Sequence, residues 1–116
     1  MAATAPSAFV GRGAELGRLV VVASPSGEPE AGTSLSLDAI ATLGRDVNNA
    51  IVVEDEFVSA EHAILTFRGR AWYVEDLGST NGTTVNGQRL APQQTLALQP
   101  GASVGFGDVV CRFEVS

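Results

Sequence analysis

"VVCRFEV", Val109–Val115, places Val109, Cys111, Phe113 and Val115 at alternate positions with Arg112 and Glu114 between them. A period of two puts the four apolar side chains on one face of an extended strand and the charged pair on the other. Gly107-Asp108 stands just ahead of it and reads as a hairpin turn. Working outward, the same texture recurs. Apolar runs lie at 18–24, 33–37, 39–43, 50–53, 62–68, 71–77, 83–85, 88–90, 94–98 and 102–106. The punctuation between them is turn chemistry: "PSGEPEAG", Gly69 between two arginines, Asn86-Gly87 with its type I′ preference, and Pro100-Gly101. No window of about 10–12 residues shows helical spacing with caps. About eleven short strands predict an all-β, antiparallel β-sandwich with no substantial helix.

Composition narrows the function classes. The chain has 116 residues, 45% of them hydrophobic and 17% charged, which suits one globular domain with a single core. Net charge is −6, and all seven basic residues are arginine. Nucleic acid and anionic membranes require a basic face, so neither is an expected partner. Cys111 is the only cysteine, which excludes a disulfide framework or cysteine metal cluster, and no cofactor is expected. "MAATAPSAFV" lacks the charge and apolar core of a leader, and no apolar run approaches the ~20 residues of a membrane span. The expectation is a cytoplasmic protein with no membrane insertion. Its alanine-rich, all-arginine composition points to a GC-rich bacterial genome. Residues 1–17 read as a flexible tail whose hydroxyls, Thr4 and Ser7 among them, offer sites for a kinase, and residues 18–116 read as the domain.

A sandwich spends its strands on packing, so function belongs to loops at one end. Three loops are richer in polar groups than turns require: "LGRDVNN" (43–49), "DEFVSAEH" (55–62) and "DLGSTNG" (76–82). Arg45 offers a planar, permanently charged fork that matches two phosphate oxygens. Ser59 and Thr80 offer hydroxyls, and Asn81 an amide that satisfies both the donor and the acceptor of a peptide backbone. Together they suit a phosphate group with its flanking peptide chain. Taken singly, each has a plainer reading: Arg45 a solvated charge, Ser59 a turn cap, Asn81 a left-handed turn residue. His62 is the lone histidine, and without a partner cluster it reads as a brace for the Ser59 loop rather than a metal ligand.

An enzyme is the competing class. Ser59, His62 and Asp76 can be named as a triad, but there is no Gly-x-Ser-x-Gly elbow, and "GRGAELG" (11–17) lacks the spacing of a phosphate-binding loop. The second alternative is a phosphate-independent interaction scaffold.

"LGRD", "VSAEHA" and "VEDLGSTNGTTVNG" together resemble the forkhead-associated (FHA) domain, a module that binds phosphothreonine peptides. The resemblance spans roughly residues 18–115 and implies an eleven-strand sandwich. It further implies that Arg45 and Ser59 bind phosphate oxygens, that Thr80 completes the pocket, and that Asn81 holds the peptide main chain. Gly44, His62 and Gly82 are then architectural. The implied partner is a phosphothreonine-containing protein or a kinase, acting downstream of a Ser/Thr protein kinase. The sequence departs from the family pattern after the serine, where Ala60-Glu61 replaces a frequent Arg or Asn. Phe57 and Ala60 stand where peptide choice varies, and the apolar Phe57 predicts an apolar residue a few positions beyond the phosphothreonine.

Overall fold

All eleven apolar runs become strands in the computed structural model, which describes residues 17–115. In chain order they are β1 Gly17–Ala23, β2 Ser34–Leu37, β3 Ile40–Gly44, β4 Ile51–Val52, β5 Ala63–Arg68 and β6 Ala71–Asp76. There follow β7 Thr83–Val85, β8 Gln88–Arg89, β9 Thr95–Leu98, β10 Ser103–Phe106 and β11 Val109–Val115. The expected tail lies outside the described residues except for Gly17, which already pairs with Leu37 and Val115. Thr4 and Ser7 likewise lie outside them. Among the described residues no helix is long and apolar enough to cross a membrane.

Two sheets form, in the orders β9-β6-β5-β3-β4 and β2-β1-β11-β10-β7-β8. The alternation that defined β11 works as expected, with Val109, Cys111 and Phe113 fully buried between the sheets. Arg112 and Glu114 pair on the outer face at 2.6 Å. Opposite them in the core lie Leu43, Leu65, Trp72 and Val74 from the other sheet. Each fully buried side chain of this size contributes on the order of 1.5–3 kcal/mol. Cys111 is one of these core residues, and burial pushes its thiol up to about 12.

The turns follow the local chemistry. Asn86 (φ 51°) and Gly87 (φ 84°) both take the left-handed conformation that a type I′ turn demands, joining β7 to β8. One pair departs from the antiparallel pattern: β3 and β4 run parallel, through Leu43–Ile51 and Gly44–Val52. A parallel return normally needs a long crossover. Here β4 has only two residues, and the loop between doubles back on itself through Asn49 N–H to Asp46 C=O, 3.1 Å, so six residues suffice.

β5 and β6 fix the polarity of the molecule. Their Gly69-Arg70 turn lies at one end, while Ala63 pairs with Asp76 at the other. All three polar loops, and the Gly107-Asp108 turn, leave from that second end.

Candidate functional site

The three loops are bonded to each other rather than merely adjacent. Arg45 N–H donates to the Ser59 carbonyl at 2.9 Å and Asp46 N–H to the Ala60 carbonyl at 3.2 Å. Asn49 reinforces this joint, its Nδ2 donating to the carbonyls of Asp46 (2.8 Å) and Ala60 (2.7 Å). Gly44 permits the approach. A Cβ there would run into the Ala60 carbonyl and come within 2.7 Å of Asn49 Nδ2.

His62 is completely buried at the loop junction. Its Nδ1 accepts the Ser59 backbone N–H at 3.0 Å, which leaves the ring proton on Nε2, donated to the Gly82 carbonyl at 2.9 Å. One ring thus pins the second loop to the third. Burial lowers the imidazole below its usual value, against the opposing pull of the Gly82 carbonyl and the Asp76 charge. Both nitrogens are committed to backbone, so neither serves the Ser59 hydroxyl.

Asp76 organises the third loop. Its carboxylate accepts the backbone N–H groups of Gly78 (2.9 Å) and Ser79 (3.0 Å) and the hydroxyls of Ser79 and Thr83. Burial pushes this carboxyl up, but the Ser79 and Thr83 hydroxyls and the two N–H donors outweigh it and hold it below the ordinary range. Ser79 Oγ in turn accepts Gly82 N–H at 3.0 Å, closing the loop around itself. The Asp76 carboxylate and the His62 ring are therefore spent on architecture, and the triad geometry considered from sequence is not formed.

What this frame presents outward is a depression of about 140 Å³ lined by Arg45, Glu56, Phe57, Val58, Ser59, Thr80 and Asn81. The four expected ligand residues all reach it. Arg45 is exposed and, among the described residues, its guanidinium makes no hydrogen bond or ion pair. Ser59 Oγ accepts Thr80 N–H at 3.0 Å, which leaves its own hydrogen to point elsewhere. Asn81 Nδ2 donates to the Phe57 carbonyl at 3.0 Å, so its carbonyl oxygen and second N–H stay available. A charged fork, a hydroxyl donor and a free amide edge are thus assembled on one rim.

Phe57 also walls a second depression, about 270 Å³, shared with Asn81, Gly107 and Asp108. Phe57 is 46% exposed. Burial and the neighbouring Asp55 carboxyl push the Asp108 carboxyl up. Ala60 lines neither depression, since its contribution is the carbonyl held by Asn49 and Asp46. Sequence reasoning missed Asn49 and the bracing role of Asp76. The Asp-x-Gly-Ser order after a strand is the signal for a carboxylate-capped loop at Asp76, whereas nothing near Asn49 distinguishes it from an ordinary turn residue.

Comparison with known proteins agrees with this fold. The family model for the FHA domain matches residues 41–107. The FHA domain-containing protein FhaB of Mycolicibacterium smegmatis is 38% identical over 81 residues, 69% of this chain and 51% of that protein, so the chain spans about half of that relative's length. The solution structure of the FHA domain of an Arabidopsis thaliana protein superposes over 94% of each chain with TM-score 0.79 and 26% identity. Mycobacterium tuberculosis EmbR, solved in complex with a low-affinity phosphopeptide, superposes with TM-score 0.75 and 27% identity over 87% of this chain and 24% of that one.

Proposed function

The chain belongs to the FHA domain family, and on that premise we propose that it is a phosphothreonine-dependent peptide-binding module acting downstream of a Ser/Thr protein kinase in a bacterial cytoplasm. FHA domains are binding modules rather than enzymes, and the commitment of His62 and Asp76 to backbone and loop contacts supports the same role here. The observation that carries the reading is the Arg45 guanidinium, unpartnered among the described residues, sharing one depression with Ser59, Thr80 and Asn81.

A phosphothreonine brings close to two negative charges at neutral pH, its second pKa lying near ~6. Arg45 supplies paired donors to two of its oxygens and the Ser59 hydroxyl, oriented by Thr80 N–H, a donor to a third. The Thr80 hydroxyl completes the pocket, and Asn81 bonds the peptide main chain with its unused amide edge. Gly44, His62 and Gly82 hold the loops in register. The adjoining depression receives a side chain a few residues beyond the phosphothreonine, an apolar one against the Phe57 ring. We assign the binding unit to residues 17–116, since Gly17 already belongs to β1.

Calorimetric titration of one threonine peptide in phosphorylated and unphosphorylated forms tests this directly. Binding of the phosphorylated form alone is the expected result. Equal affinity for both would replace the reading with a phosphate-independent scaffold.

A further inference from the structure

Arg89 has no role in the site as described so far. It stands on β8, an exposed two-residue edge strand, paired with Thr84 across the Asn86-Gly87 turn. That hairpin brings its side chain back to the start of β7, against the loop that ends at Gly82. A Cβ placed on Gly82 would meet Arg89 Nε at 2.6 Å, Cζ at 2.9 Å and Cδ at 3.1 Å, so the inner part of the guanidinium rests on the Gly82 backbone. Gly82, at φ 92°, is itself immobilised, since its carbonyl accepts both His62 Nε2–H and Gly107 N–H. The next residue back is Asn81 and the one before it Thr80, both assigned to the peptide.

Among the described residues, the charge on Arg89 is uncompensated. The two described ion pairs consume Arg18, Arg112 and Glu114, and Arg68 stacks on Tyr73 at 4.4 Å. Arg89 makes no such contact with any described residue. In a chain of net charge −6, a guanidinium left unpaired against a fixed loop is a ready anion receptor. It lines neither depression, so it duplicates neither the Arg45 contact nor the Phe57 wall.

We infer that Arg89 is a second anion receptor of the peptide site, reading a carboxylate or a further phosphate carried by the peptide beside the phosphothreonine. This rests on the binding-module reading above. The fork presents paired donors to either anion, and packing on Gly82 reduces the side-chain freedom lost on binding. On the other side, Asp108 lines the second depression and Glu56 the first, so an acid directed there is disfavoured. Acid preference is therefore confined to particular peptide positions.

The test uses a phosphothreonine peptide with alanine flanks, a single glutamate moved through each flanking position, titrated against the wild-type chain and Arg89→Gln. Glutamate at one or two positions should strengthen wild-type binding roughly three- to tenfold. Arg89→Gln should abolish that gain and shift the all-alanine peptide less than about twofold. Phosphoserine at the same position separates the two sources: a larger gain than glutamate assigns a second phosphate, an equal or smaller one a carboxylate. A normal all-alanine titration with no glutamate gain anywhere, or an equal loss for every peptide in Arg89→Gln, overturns the role of Arg89. Absence of all phosphopeptide binding by the wild-type chain would instead overturn the module reading, and Arg89's role with it.

Discussion

Replacing Arg45 by alanine removes the only base that, among the described residues, lines the proposed phosphate depression. Because the guanidinium has no partner within the described residues, the substitution breaks no internal contact. The backbone bond from residue 45 to the Ser59 carbonyl survives it. The whole effect should therefore fall on binding. Two charge-assisted hydrogen bonds at roughly 1.5–3 kcal/mol each set a ceiling of about 3–6 kcal/mol. The rim is open to solvent, so screening and the desolvation of the free guanidinium reduce this to about 2–4 kcal/mol. That is a weakening of about 30- to 900-fold. Arg45→Lys keeps the charge without the fork and should fall between. Calorimetry with a phosphothreonine peptide reads the affinity, and urea unfolding, expected to be unchanged, confirms that the fold is intact. An alanine variant within about threefold of wild type would refute the assignment of Arg45 to the phosphate.

Other expectations concern the frame behind the rim. Gly44→Ala forces the Ala60 and Asn49 contacts apart and should cost about 1–3 kcal/mol in urea unfolding, with weaker peptide binding; an unmoved midpoint contradicts the close approach. Asp76→Ala strands two hydroxyls and two backbone N–H groups in a buried loop and should cost about 3 kcal/mol or more at neutral pH, where the depressed carboxyl is fully ionised. The lowered His62 value has a definite sign: its contribution is whole above the unfolded pKa of ~6.5 and declines as pH falls below it, because the unfolded chain takes up a proton the folded chain refuses. Asp108, pushed up by burial and Asp55, acts oppositely, so the readout is the difference between wild type and His62→Asn between pH 7.5 and about 5.5. Parallel pH profiles for the two proteins would remove His62 from the account.

The strands were legible because each apolar run is bounded by turn residues whose backbone demands are local, as Asn86-Gly87 and Gly107-Asp108 show. The parallel β3–β4 pair was not, because two residues carry no period and their pairing depends on a loop folding back through Asp46 and Asn49. The proposed ligand residues could be named because Arg45, Ser59, Thr80 and Asn81 combine a chemistry with a recognisable family order. Ala60 was singled out from that same order, yet its side chain lines neither depression. Asn49 and Arg89 act through contacts with residues 11 and 7 positions away, and side-chain type alone does not announce such contacts.

The pairing of Gly17 with Val115 has a further consequence. β11 begins at the turn whose Gly107 touches the Gly82 loop, and it runs about 20 Å to Val115, so the first and last strands leave the sandwich together at the pole opposite the proposed peptide rim. The described chain thus enters and leaves the sandwich at one corner. The domain can therefore hang from a longer polypeptide, or be spliced into a surface loop of one, like a bud on a double stalk. Joining residues 115 and 17 by a short linker and opening new ends between β1 and β2 should give a permuted chain with the same rim.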